Sequence, residues 1–462
     1  MNLFIKIIFY FPKIFTIYLI KIRSKKLCRK INHNFKGPYL FKPYGVLDCT
    51  LLHDGIKKRL NEKSKAILLK KDKFEINYLK FIERKKCKNG FLDFQMFLWK
   101  ECKKNNVKNL YYPILDTFIR IIPWQYLFTG FKLKNSFFVD LKKVIKKYEI
   151  FYSGFNTLFL PDSAYFNNQL AKQIFMKNKK KVIYLNPNGR IKQYSNIKYS
   201  EFSVKKYRNL YKEYSTEIEK YLSDRYMGKS NNDRDTRVSF RSSKIKKKIT
   251  KKKVLFLHAF RDANNTTWNN NQAFDSYFEW TQYTLKIISQ KKDFKNWYIK
   301  THPSGKYYEN ESEILKKIIK KYNIPLTCFK NCPTTKEILE NKLPVYSNSG
   351  TIILETATKG YGSYFCNLRL NKKYGFFIAS KNDWKKIVNT SYNKVENSKI
   401  EKKIQQAAKY TLWNTYKKNI PELCPTIVYR ENNVFLLLMQ IFKQCFNTIF
   451  LKSKNITIPK LQ

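Results

Sequence analysis

Acidic residues are scarce. Only 34 Asp and Glu stand against 92 Lys and Arg, a formal charge of +58. Such a field draws polyanions: nucleic acid, anionic lipid or an acidic polysaccharide. Lys, Asn, Ile, Phe and Tyr dominate the composition, and a mutational bias toward AT-rich codons accounts for the same excess. Nucleic-acid binding would concentrate the charge on a recognisable module. Zinc-finger spacing, an aromatic RNA-binding motif and basic-zipper heptads are all missing, and the lysines run along the whole chain. Nucleic acid is therefore not an expected partner. Histidine is scarcer still, with four residues: His33, His53, His258 and His302. A histidine-built metal centre has little material. The nine cysteines are odd in number and irregularly spaced, with no CxxC. That excludes a disulfide framework or a zinc site and leaves reduced thiols as the default. No metal is expected.

An uninterrupted apolar run is also missing. Leu3 to Ile22 is apolar, but Lys6, Lys13 and Lys21 interrupt it and Pro12 sits in its middle. A span needs roughly 20 apolar residues with few charges, and no small-residue cleavage site follows. Lys6, Tyr10, Lys13 and Lys21 share one helical face, and the basic run Arg23, Lys25, Lys26, Arg29 and Lys30 comes next. Residues 1–30 therefore read as an amphipathic basic helix on an anionic membrane surface, or as a helix docked on the protein's own core. Residues 431–462 carry a second amphipathic pattern. Its polar stripe holds Gln440, Lys443, Gln444, Asn447 and Thr448, and a terminal helix packed across two domains is the preferred reading.

What is present is enough apolar side chain for large cores, 43% hydrophobic and 16% aromatic. A chain of 462 residues suggests two or three domains. Over 31–226, apolar strand-like runs at Ala66 to Leu69, Leu110 to Ile114, Ile150 to Phe151 and Lys181 to Leu185 alternate with helical stretches such as Phe166 to Met176. That alternation predicts an α/β domain. Residues 227–253 are polar and basic, a linker or loop. Within them Asp233-Arg234-Asp235 is a formal DxD. Such a triplet holds a metal–nucleotide complex when it ends an apolar strand, and reads as a solvated loop in a hydrophilic run like this one. A second α/β unit, 254–430, opens at Val254 to Leu257. Helix Tyr277 to Ser289, strand Trp297 to Lys300, helix Glu311 to Lys321, strand Pro344 to Ser347 and helix Thr351 to Lys359 follow. These lengths predict a doubly wound parallel sheet, which binds ligands at the carboxyl ends of its strands.

That rule selects three segments: His258 to Ala263, Lys300 to Pro303, and Ser347 to Thr351 leading into a helix with Glu355. In the third, hydroxyls and Gly350 before a helix suit an anion. Plain N-capping by Ser349 explains the same residues. Lys300 and His302, two apart at a strand end, can face one cleft. His302 can also be an ordinary turn histidine.

The set HAFRDA, YFEWTQYTL, YIKTHPSG, PVYSNSGTIILETATKGYGSYFCN and KKYGFFIAS resembles the capsule polysaccharide biosynthesis glycosyltransferases, relatives of bacterial Kdo transferases. The likeness is good from Val254 to Trp384. In the first half it extends only to the layout of YSGFNTLFLP and KKVIYLNPNGRI. It implies an α/β, GT-B-like fold of two Rossmann-like domains facing across a cleft, the first on the acceptor side and the second binding a nucleotide sugar. It implies metal-independent transfer from a nucleotide-sugar co-substrate, often CMP-linked, with no resident cofactor. Carried over residue by residue, Lys300 and His302 match the KxHP motif. Ser347, Ser349, Gly350, Thr351 and Glu355 match the serine motif and its helix. His258 and Asp262 match the segment after the first strand of the nucleotide half. Asp262, His302 and Glu355 become the catalytic candidates; His258, Lys300, Ser347, Ser349, Gly350 and Thr351 become the donor-binding ones. The implied acceptor is a lipid-linked or polysaccharide chain, and the implied place is the inner face of the cytoplasmic membrane. A CDP-linked polyol-phosphate transferase of the same fold and a non-catalytic basic binder of anionic glycan or lipid are the competing readings.

Overall fold

The computed structural model describes residues 76–160, 165–186, 204–228, 249–263, 273–303, 308–367, 372–390 and 399–416, apart from single positions within them. It also describes short pieces, among them the strands at 31–32, 39–41, 66–68, 190–193 and 456–457. Residues 1–30, the Asp233–Asp235 triplet and the polar stripe of 440–448 lie outside the described residues. Among the described residues no helix is long and apolar enough to cross a membrane.

The protein is mixed α/β and contains two five-stranded sheets. The first consists of β1 (Tyr39–Phe41), β2 (Ala66–Leu68), β3 (Thr157–Leu160), β4 (Lys181–Asn186) and β5 (Arg190–Gln193). Its order is β2-β1-β3-β4-β5, parallel except for the antiparallel edge strand β5. The second consists of β6 (Lys253–Phe256), β7 (Trp297–Lys300), β8 (Val345–Ser347), β9 (Tyr364–Phe365) and β10 (Phe376–Phe377). Its order is β7-β6-β8-β9-β10, and every pair is parallel.

Helices α1 (Phe91–Lys104), α2 (Tyr111–Ile121), α3 (Ser136–Ser153) and α4 (Tyr165–Lys177) belong to the first half. Next come α5 (Val204–Glu213) and α6 (Ser215–Tyr226). The second half carries α7 (Tyr277–Gln290), α8 (Glu311–Lys321), α9 (Thr335–Glu340), α10 (Ile352–Thr358), α11 (Lys381–Asn389) and α12 (Lys402–Tyr416).

Two expected strands are helical. Leu110 to Ile114 leads into α2, because its apolar residues recur as Tyr111, Ile114, Leu115, Phe118 and Ile119, one buried helical stripe. Pro113 is accommodated because it stands in the first turn, where its missing N–H costs nothing. Ile150 to Phe151 is the last turn of α3, with Tyr148 and Tyr152 inward and Ile150 exposed.

Alternation along the strands of the second sheet feeds two cores. Leu255, Trp297, Ile299 and Tyr346 face one; Val254, Tyr298 and Val345 face the other. The first core is continuous with the whole first half: Phe91 and Phe128 meet Phe278 of α7 edge to face. The second holds α10 and α12 together with Ile218 and Leu222 of α6. Residues 204–226, grouped with the first half on sequence grounds, therefore pack on the far face of the second sheet. Their apolar stripe is completed by Ala407, Ala408, Leu412 and Trp413 of α12.

Candidate functional site

The carboxyl ends of β6, β7 and β8 bring their following segments together. β6 lies between the other two, with Val254 opposite Tyr298 on one side and Val345 on the other. His258, His302 and the segment from Ser347 to Gly350 thus meet at one sheet edge.

Their contacts are specific. The His258 ring stacks on Tyr277 at 4.2 Å between centroids and on His302 at 5.5 Å. The three rings form a row, from buried Tyr277 at the first residue of α7 to half-buried His302. His258 Nε2 lies 2.7 Å from the carbonyl oxygen of Ser349. A carbonyl only accepts, so Nε2 carries the hydrogen in this contact. Gly350, at φ +115°, packs its Cα against His258, and a Cβ there would stand 3.3 Å from Cε1. Only glycine takes that backbone readily.

The serines act inward. Ser347 Oγ donates to the Ser349 carbonyl at 2.6 Å, and Ser349 Oγ bonds the Tyr277 hydroxyl at 3.0 Å. Both serines are fully buried. The donor-binding role expected for their hydroxyls becomes the shaping of the loop that carries Gly350 and Thr351. Those two are partly exposed, and Thr351 makes no side-chain cap on α10.

Lys300 reaches elsewhere: its Nζ donates to the Pro333 carbonyl at 3.0 Å. Glu355 is not brought to the histidines. It is buried on α10, and its carboxylate is bound by Arg225 of α6, whose Nε stands 3.1 Å away. The residue expected to touch substrate is half of an ion pair inside the second core.

Asp262 stands one residue after Arg261. Its Oδ1 accepts the Ala263 amide at 2.9 Å, and the Tyr308 hydroxyl hydrogen-bonds to it. Burial, then Asp262, push that hydroxyl well above the ordinary tyrosine range. Tyr165, at the start of α4 after β3, adds to the same shift, and the Arg120 guanidinium lies 4.2 Å over the Tyr308 ring. Tyr165, which follows β3, and Arg120 of α2 therefore lie close to Tyr308 and Asp262 of the second half.

Sequence reasoning missed Glu311, at the start of α8. Its Oε1 accepts the Arg261 amide at 3.0 Å, and it also takes the Phe260 amide. Burial pushes its carboxyl up to about 7, against the opposing pull of those amides. It escapes a rule that looks just past each strand, because ten residues separate it from the end of β7. Tyr277 is read from the sequence only as the first residue of a helix, and the structure shows Ser276 capping it.

Set against known protein families, curated proteins and solved structures, the chain matches none.

Proposed function

We propose that the chain is a glycosyltransferase of the capsule polysaccharide type, moving a sugar from a nucleotide-sugar donor to a lipid-linked or polysaccharide acceptor. The observation that carries this reading is the meeting of His258, His302 and the Ser347–Thr351 segment at one sheet edge, stacked and hydrogen-bonded as a unit. The parallel sheet supports the reading, since ligands of such sheets sit at the carboxyl edge where these residues meet. A GT-B-like pairing of the two α/β halves across a cleft is part of the proposal. His302, as the outermost ring, and the half-buried Gly350–Thr351 segment are the groups offered to the donor phosphate.

In the transfer, the acceptor hydroxyl oxygen bonds to the anomeric carbon as the bond from that carbon to the phosphate oxygen breaks. The nucleotide leaves with the electron pair, and the hydroxyl proton passes to a base, for which Asp262 is the candidate. The nucleotide sugar is a co-substrate and no resident cofactor is assigned. Nucleotide sugars are cytoplasmic, and the basic surface suits an anionic leaflet; the proposed place is the inner face of the membrane. Purified protein incubated with CMP-, CDP- and UDP-linked donors and an acceptor extract tests the reading. Release of a nucleotide coupled to sugar incorporation is expected. Release from CDP-polyol donors alone points to the phosphotransferase, and no release from any donor overturns transfer.

A further inference from the structure

Arg261 and Asp262 are consecutive, yet their side chains part. Arg261 is buried and runs toward the C-terminal end of α2, binding the carbonyls of Ile119, Arg120 and Ile122. Asp262 stays half-buried and meets the Tyr308 hydroxyl. A short turn that sends neighbouring side chains to opposite tasks needs its backbone held. The hold comes from α8, where the carboxylate of Glu311 accepts the amides of Phe260 and Arg261. Glu311 thus joins the turn after β6 to the segment after β7, the two segments that carry Asp262 and His302.

We propose that Glu311 is a positioning residue of the transfer site: by holding the Phe260–Arg261 amides it sets the direction of the Asp262 carboxylate toward the acceptor. This rests on the transferase reading, in which Asp262 takes the acceptor proton. Glu311 does not touch the reacting atoms. Its two amide partners leave its oxygens committed to the turn, and deletion of an acceptor for two buried N–H groups leaves those groups unsatisfied. The charged groups facing it are Arg261 and Asp262 of the same turn. Arg120 of α2 and Glu309 face Arg261, and Tyr308, Tyr165 and Arg120 surround Asp262. Gln keeps one accepting oxygen at the same reach, puts an NH2 donor in place of the other and has no titrating proton; Asp keeps the charge but withdraws it by one methylene; Ala removes both.

The test uses the full chain and two readouts. Deuterium exchange of the peptide covering 257–263 is followed in wild type, Glu311→Gln, Glu311→Asp and Glu311→Ala. The same proteins are assayed for nucleotide release. We expect the Asp and Ala variants to exchange at least ten-fold faster in that peptide. Their kcat falls ten-fold or more while the donor KM stays within about two-fold, because the donor lies with His302 and Gly350. The Gln variant, which keeps one accepting oxygen, recovers most of both readouts. Unchanged exchange in all three variants overturns the positioning role. So does a Gln variant as impaired as Ala, which would make the ionisable carboxyl itself the acting group. If wild type releases no nucleotide from any donor, the transferase reading fails, and exchange alone decides whether Glu311 holds the turn.

Discussion

Arg225 and Glu355 form an ion pair between α6 and α10 that is buried to within a few per cent of full exclusion from water. Arg225 also receives support from the Tyr221 hydroxyl, 3.1 Å from Nη1. Removing one partner of such a pair strands a charge without water. Glu355→Ala is expected to cost roughly 3–5 kcal/mol of stability. A double replacement, Arg225→Met with Glu355→Leu, should recover most of that, since apolar side chains of similar volume often substitute for a buried pair. Denaturant midpoints of the three variants check this. A Glu355→Ala protein with the wild-type midpoint and no turnover would instead return Glu355 to the catalytic set.

His302 is the outer ring of the Tyr277–His258–His302 row. Its replacement should leave the core intact, because His302 is only half-buried. Loss of one donor at a phosphate that gathers charge costs ~10²–10³ in rate, by analogy with oxyanion-hole deletions. His302→Ala is expected to show that loss in nucleotide release, with a melting temperature near that of wild type. Turnover at the wild-type rate would remove His302 from the phosphate.

Much of the second half is legible in the sequence. Strands β6, β7 and β8 are short, largely buried apolar runs, and helices α7, α8 and α10 follow them. Trp297–Lys300 and Glu311–Lys321 match the expected bounds. The first half is harder, because aromatic helices such as Tyr111–Ile121 are apolar enough to pass for strands over a short window. The site was legible as positions, not as directions. The sheet-edge rule finds His258, His302 and the serine segment, yet it cannot say that both serine hydroxyls turn inward or that Lys300 turns to Pro333. It also cannot find Glu355's partner, which lies 130 residues away on α6.

The Glu311 carboxyl, raised from 4.5 to about 7 chiefly by burial, ties stability to pH. Folding favours its protonated form. That contribution is complete below the ordinary carboxylate value, declines as pH rises between the two values, and is gone above about 7, where the folded protein must hold the ionised group. Glu311→Gln has no such proton to lose. Other groups titrate in both proteins, so the difference between them isolates this one. At pH 4 their melting temperatures should agree closely. At pH 8 the Gln variant should be the more stable by about 1–3 kcal/mol, a range already reduced for partial exposure. A difference that is constant with pH, or one of opposite sign at pH 8, would show that Glu311 keeps an ordinary pKa.

Arg261 tests whether the two halves are joined at the site or only beside it. Its Nε lies 3.1 Å from the Ile119 carbonyl, and Nη2 lies 2.6 Å from that of Arg120 and 2.7 Å from that of Ile122. These oxygens end α2, where carbonyls lack partners within the helix and the dipole favours a cation. A planar fork reaches several of them at once; a lysine ammonium on a flexible stem does not. Hydrogen bonds to a charged group are worth ~1.5–3 kcal/mol each, and their loss here leaves buried acceptors behind. Arg261→Ala is therefore expected to lose ~2–4 kcal/mol, and Arg261→Lys somewhat less. Deuterium uptake should rise in the peptide covering 117–124, across the junction from the substitution. Relief of the +58 charge would act in the opposite direction, and Lys320→Ala, an exposed site on α8, controls for it. If Arg261→Ala keeps both its midpoint and the protection of 117–124, the junction is held by its other contacts, among them the rings around Phe278 and the Tyr111–Asp275 hydrogen bond, and the turn after β6 is free to move without the first half.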